Sequence, residues 1–297
     1  MLRAEKVDKK YDNTEVLHGI DLCLNRGKVH GLIGENGAGK TTLIKCLSGI
    51  YKPDSGCVIC EDVPVYDNPT AKDKIAYVSD SQEIMGMYSI RGLVKLYDKM
   101  YEDFSVERFL KLNEQFQISI RKNLFELSKG QKMSLAFMLA IARNADYLIM
   151  DEPLSGLDAR RQKQLLDVLV NEVETREIGV LLSSHNLSGL EKLCDEITML
   201  QEGKVILQKT TGELWEEYQS WQLVLDDQTI QKLQKEECVL EITKESGRLF
   251  LLVTKGDREE NRKVLERCGG MEIEQRELHL EKLFLIMSEK ERGEEAK

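Results

Sequence analysis

Three short apolar runs punctuate the first two-thirds of this chain, and each ends abruptly in polar residues. Lys28-Val-His-Gly-Leu-Ile33 runs into Gly34, Tyr147-Leu-Ile-Met150 into Asp151-Glu152, and Val180-Leu-Leu182 into Ser183-Ser184-His185. Uninterrupted apolar runs of this length, set between helical patterns, predict strands buried on both faces of a parallel sheet. Open parallel sheets bind ligands beyond the carboxyl ends of their strands. The pattern therefore predicts one sheet edge shared by Gly34, Asp151 and His185. Between the first two runs, Ile90–Tyr97 and Val106–Leu112 carry apolar residues at helical spacing, predicting a helical subdomain inserted at about 84–130. Apolar and polar residues alternate over Glu5–Gly27 and Gly56–Val65, predicting a smaller antiparallel sheet.

After Gly203-Lys204-Val-Ile-Leu207 the character changes. The pattern from Lys209 onward reads strand (Trp221–Leu225), helix (Thr229–Lys235), strand (Val239–Thr243), strand (Arg248–Thr254), helix (Arg258–Cys268), strand (Met271–Gln275) and a last helix (Leu278–Ser288). That order is the β-α-β-β-α-β arrangement of ferredoxin-like folds with one helix added. The expected organisation is an α/β domain over 1–208 and a small α+β accessory domain over 209–297.

Composition narrows the partners. The 297 residues are 41% hydrophobic and 32% charged, as in globular rather than disordered chains. The net charge of -10 gives no global attraction to nucleic acid. Residues 209–297 hold 21 acidic and 15 basic side chains, most of that excess. No apolar run approaches the ~20 residues that cross a bilayer, and Met1–Lys6 lacks the apolar stretch of a secretory signal. A cytosolic protein is expected, with any membrane contact made through a partner. Among the seven cysteines, Cys57-Val-Ile-Cys60 has metal-site spacing, but its β-branched middle predicts a strand. Residues three apart on a strand point to opposite faces, so the sulfurs are expected to be structural thiols.

The chemistry begins at Gly34-Glu-Asn-Gly-Ala-Gly-Lys-Thr41, a complete P-loop between an apolar strand and a helix. Its backbone N–H groups and glycines cradle phosphates, Lys40 reaches the β- and γ-phosphates, and the Thr41 hydroxyl coordinates Mg²⁺. The expected nucleotide contacts are thus Gly34, Glu35, Asn36, Gly37, Ala38, Gly39, Lys40, Thr41 and Thr42. At the second strand's end, Asp151 suits the Mg²⁺ shell and Glu152 is placed to take a proton from an attacking water. Taken alone, an adjacent carboxylate pair is usually a solvated strand end; beside a P-loop the catalytic reading is favoured. Leu127-Ser-Lys-Gly-Gln131 precedes a helical run, so Ser128 and Gly130 lie near a helix N-terminus.

These motifs, in this order, resemble the nucleotide-binding domain of ABC transporters over roughly the first 207 residues. Leu127–Gln131 resembles the family signature Leu-Ser-Gly-Gly-Gln, Ser155-Gly-Leu-Asp158 the D-loop, His185 the switch histidine and Tyr11 the aromatic that stacks on adenine. The resemblance implies a head-to-tail dimer burying two ATP molecules, with Ser128, Gly130 and Gln131 of one subunit facing the γ-phosphate held by the other. It implies catalytic roles for Lys40, Glu152 and His185. The sequence departs from the family pattern twice. Lys129 stands where the signature usually has glycine. Asp80 occupies the register of the family's Mg²⁺-touching glutamine, and Gln82 follows two residues later, so both are candidate metal-shell residues.

Leu278-His-Leu-Glu-Lys-Leu-Phe-Leu285 resembles the Leu-Glu-x-Leu-Phe segment that closes the accessory domain of bacterial exporter ATPases of the bacitracin type and related multidrug or peptide exporters. This implies an exporter ATPase on the inner face of the membrane, working with a separately encoded permease. The alternative is a non-transport ABC ATPase acting on ribosomes or nucleic acid. Only 87 positions separate Lys40 from Leu127, too few for the long coiled coil of DNA-repair members, and the chain holds one P-loop rather than two. A nucleotide sensor without turnover is disfavoured by Glu152 and His185.

Overall fold

The computed structural model describes residues 1–12, 14–79, 88–184 and 191–295, with side chains described as far as residue 290. Two compact units emerge: Met1–His185 with Thr198–Val205, and Asn186–Ile197 with Ile206–Lys297. The second unit thus begins slightly before the expected break at 208/209 and also takes in Asn186–Ile197. Backbone pairing accounts for this: Thr211 N–H donates to the Asp195 carbonyl at 2.9 Å.

In chain order the first unit contains β1 (Leu2–Tyr11), β2 (Thr14–Leu24), β3 (Val29–Ile33), α1 (Lys40–Leu47), β4 (Ser55–Cys60), β5 (Val63–Pro64), α2 (Pro69–Asp73) and β6 (Ile75–Val78). Then come α3 (Ile90–Met100), α4 (Val106–Phe116), α5 (Lys129–Ala142), β7 (Tyr147–Met150), α6 (Ala159–Arg176), β8 (Gly179–Ser184), and the pair β9 (Glu196–Gln201) and β10 (Lys204–Thr210), of which this unit holds the Thr198–Val205 part. The central sheet has the order β10-β9-β3-β8-β7-β6. Within it β3, β8, β7 and β6 run parallel. Every residue of β3, β7 and β8 is buried, which is why their sequences read as unbroken apolar runs. The parallel pairing of the three predicted strands puts Ile33, Met150 and Ser184 at one sheet edge.

β1, β2, β4 and β5 form a separate antiparallel sheet. Leu2, Leu17, Leu22, Leu24, Val58 and Cys60 from it pack with Leu43, Ile44 and Leu47 of α1 in one core. The Cys57–Cys60 pair lies on β4, with Cys60 buried and Cys57 half-buried, and every cysteine is a free thiol. α3 and α4 occupy the inserted region, each opened by a serine N-cap: Ser89 accepts from Gly92 N–H and Ser105 from Arg108 N–H.

The second unit holds α7 (Thr211–Glu217), β11 (Tyr218–Val224), α8 (Asp227–Leu233), β12 (Val239–Ser246), β13 (Leu249–Lys255), α9 (Arg258–Cys268), β14 (Met271–Arg276) and α10 (Leu280–Glu295). Its antiparallel sheet is ordered β12-β13-β11-β14, the split β-α-β connectivity of ferredoxin-like folds. Trp221, Leu223, Leu252, Leu233 and Leu265 form its core. At one end of that core a buried polar network is closed on itself. Trp221 Nε1 donates to Thr254 Oγ1 at 2.8 Å, Thr254 Oγ1 to Gln219 Oε1 at 3.2 Å, and Asn261 Nδ2 to Gln219 Oε1 at 2.8 Å.

Candidate nucleotide site

Beyond the carboxyl end of β3 the chain turns over Gly34–Gly39 into α1, and this turn dictates its own glycines. Gly39 sits at φ +103°, and a Cβ there would lie 2.9 Å from Leu17 Cδ2 and 3.0 Å from the Val16 carbonyl. At Gly34 a Cβ would meet the Leu200 carbonyl at 2.4 Å. Only residues without a side chain let the loop close this tightly, leaving N–H groups at the helix N-terminus turned to an anion.

Lys40 opens α1 and is 6% exposed. Its Nζ donates to the Gly34 carbonyl at 2.7 Å and the Glu35 carbonyl at 3.1 Å, and lies 3.7 Å from Glu152 Oε1. Burial pushes its pKa below the ordinary lysine value, against the pull of Glu152 and Asp151. The Thr41 hydroxyl donates to Asp151 Oδ2 at 2.7 Å. Asp151 is itself buried at the end of β7. Its other oxygen accepts from the Ser183 hydroxyl at 2.6 Å, and Ser183 Oγ in turn accepts from Glu152 N–H at 3.0 Å. Glu152 takes a left-handed backbone conformation, φ +50°, which turns the chain sharply after the strand.

A cavity of about 330 Å³ is lined by Val16, Glu35, Asn36, Lys40, Thr41 and Glu152, among others including Gly37, Gly39, Thr42 and Asp151. Tyr11, at the end of β1, is anchored beside it: its hydroxyl lies 3.4 Å from Thr42 Oγ1. Burial raises the Tyr11 pKa, partly offset by that contact. The cavity thus brings together backbone donors, an ammonium, two carboxylates and a hydroxyl, with the Tyr11 ring held next to one of its lining residues. Such an arrangement is chemically able to take a triphosphate with a hard cation and to present a carboxylate to a water.

Ser128, Gly130, Gln131 and Asp158 lie elsewhere in the first unit. Ser128 caps α5, accepting from Gln131 N–H at 3.2 Å, while Gln131 Oε1 accepts from Ser128 N–H at 3.2 Å. Gly130 packs beneath Leu157 and Arg161, and Lys129 lays its stem across Gly156, so the signature-like segment touches the Ser155–Asp158 turn of the same chain. Asp158 caps α6 by accepting from Arg161 N–H at 3.0 Å. Ser128, Gly130, Gln131 and Asp158 are not among the residues lining the nucleotide-sized cavity. His185, Asp80 and Gln82 lie outside the described residues. Ser183 is the residue that motif reading passes over; its signal is its place at the end of a buried strand, level with Asp151.

Comparison with known proteins agrees with this geometry. Residues 17–155 match the ABC transporter family. The chain is 27% identical over 285 residues to the ABC transporter ATP-binding protein YtrB of Bacillus subtilis (strain 168), covering 96% of this chain and 97% of that protein. It is 30% identical over 223 residues to the galactose/methyl galactoside import ATP-binding protein MglA of Salmonella typhimurium, a relative of which the chain spans 43%. Among solved structures, one described as the ATP binding subunit of an ABC transporter superposes with a TM-score of 0.67 at 26% identity, covering 72% of this chain and 91% of that one. The structure of cbiO1 from Clostridium perfringens gives 0.61 at 26% identity, covering 72% and 90%. With the P-loop, the paired carboxylates and the sheet that brings them together, these matches identify in this chain an ATP-binding, ATP-hydrolysing domain of the ABC transporter type.

Proposed function

We propose that this chain is the ATPase subunit of an exporter, driving a separately encoded membrane permease from the inner face of the cell membrane. The observation that carries the catalytic part is the Thr41–Asp151 contact at 2.7 Å, with Lys40 and Glu152 in the same cavity. A hydroxyl and a carboxylate so close form an all-oxygen donor pair suited to Mg²⁺. When bound, that ion would neutralise charge on the β- and γ-phosphates. Lys40 and the loop N–H groups hold the phosphates, Tyr11 supports adenine, and Glu152 accepts the proton of the attacking water. His185 and the Asp80/Gln82 pair keep the γ-phosphate and metal-shell roles that the family resemblance gives them.

Ser128, Gly130, Gln131 and Asp158 do not line their own chain's cavity, which supports their acting on ATP held by a second nucleotide-binding subunit, identical or related. Among the described residues no helix is long and apolar enough to cross a membrane, which supports a separate permease. The exporter reading rests on the resemblance of Leu278–Leu285; the import relatives extend well beyond the region matched. Glu152→Gln is expected to retain ATP binding, lose turnover and form an ATP-dependent dimer on size-exclusion chromatography. Hydrolysis at the wild-type rate would overturn the role of Glu152. Purification from membranes should recover a polytopic protein that supports ATP-driven efflux in vesicles; recovery of ribosomal RNA would favour the non-transport alternative.

A further inference from the structure

Tyr51 stands just beyond α1, where the chain is held by its own helix. The N–H groups of Ile50 and Tyr51 both donate to the Lys45 carbonyl, at 2.9 and 3.0 Å. The Lys45 ammonium then reaches the other end of the same residue: Nζ lies 3.4 Å from Tyr51 Oη and 5.1 Å from the ring centroid. Lys45 thus grips Tyr51 by backbone and by side chain, and the ring packs on the core shared by α1 and the antiparallel sheet. The ring of Tyr11 meets this fixed ring edge to face, with centroids 6.0 Å apart and planes at 78°. Its hydroxyl is tied to Thr42 on the P-loop helix.

A T-shaped pair is attractive because the positive edge of one ring meets the negative face of the other. Whichever ring supplies the edge, at least one face of Tyr11 remains uncovered by the pair. A parallel stack would have fixed Tyr11 by occupying the face that a base needs. Tyr11 is 41% exposed, with Tyr51 against its ring and Thr42 against its hydroxyl.

We propose that Tyr51, clamped by Lys45, is a positioning residue for the nucleobase: it fixes the plane of Tyr11 so that an adenine ring can stack on it. This rests on the reading of Tyr11 as the adenine platform, and the test separates the two. Binding of Mg²⁺-ATP and of Mg²⁺-tripolyphosphate, which lacks a base, is measured by calorimetry on the full chain for Tyr11→Ala, Tyr51→Leu, Tyr51→Phe and Tyr11→Ala/Tyr51→Leu. Aromatic pairs contribute a few-fold to about tenfold in affinity. Tyr51→Leu is therefore expected to weaken ATP about 3- to 10-fold and leave tripolyphosphate unchanged. Tyr51→Phe keeps most of the ATP affinity, and in the double variant the Tyr51 substitution adds nothing. Unchanged ATP affinity in Tyr11→Ala would remove the platform reading itself. With that reading intact, ATP affinity unchanged in Tyr51→Leu, equal losses for ATP and tripolyphosphate, or additive losses in the double variant would each overturn the positioning role.

Discussion

The hydroxyl of Ser183 donates a 2.6 Å hydrogen bond to Asp151 while accepting the backbone N–H of Glu152, so one side chain from β8 holds the Asp151 carboxylate and the Glu152 backbone just beyond β7. A hydrogen bond to a charged group is worth about 1.5–3 kcal/mol. Ser183→Ala should therefore lower kcat about tenfold or more and raise the Mg²⁺ concentration needed for half-maximal turnover. Steady-state ATPase assays over a Mg²⁺ titration check both expectations.

Lys40 is buried at a net cost to the empty protein. Its pKa is lowered in the fold, so the unfolded chain binds more protons in the window between that lowered value and 10.5. Stability should therefore rise with pH through this window, and the gain should vanish in Lys40→Met. At pH 7 without nucleotide, Lys40→Met should unfold at or above the wild-type temperature, yet ATP should no longer stabilise it. Thermal unfolding with and without Mg²⁺-ATP, at pH 7 and near pH 10, reads out each statement.

Gly39→Ala places a methyl group at φ +103° against Leu17 and the Val16 carbonyl. Strain of this kind costs about 1–3 kcal/mol, and relieving it would reshape the loop. Loss of measurable ATP binding, with a lower unfolding temperature, is the expected result in a calorimetric titration and a melting curve.

In the second unit, Thr254→Val removes the hydroxyl that receives Trp221 Nε1 and donates to Gln219, leaving buried polar groups without their partner. The expected destabilisation is about 1–3 kcal/mol. Urea unfolding followed by tryptophan fluorescence should show an earlier midpoint.

Much of this architecture is visible in the bare sequence because the elements that build the site are extreme cases. β3, β7 and β8 are buried on both faces, so they are mostly apolar, and the P-loop permits few alternatives to glycine. The ferredoxin-like order of the second unit is readable because its strands and helices are separated by clear caps, such as Asp226 and Asp257. By contrast α6 goes unremarked in the apolar pattern, since only Leu165, Val168, Leu169 and Glu172 of its 18 residues are buried. Ser183 is similarly inconspicuous: a serine at a strand end signals nothing until the sheet sets it beside Asp151. The unit boundary is also illegible locally, because Asp195 precedes β9 in the chain yet pairs with Thr211 after β10.

The core of the second unit has a spectroscopic corollary. The chain contains two tryptophans, Trp215 and Trp221, and both belong to that unit, whereas Tyr11, Tyr51 and the P-loop belong to the other. Near-ultraviolet emission excited at the indole band thus originates in the second unit alone. The unfolding of that unit can therefore be followed separately from that of the P-loop unit, with no label attached.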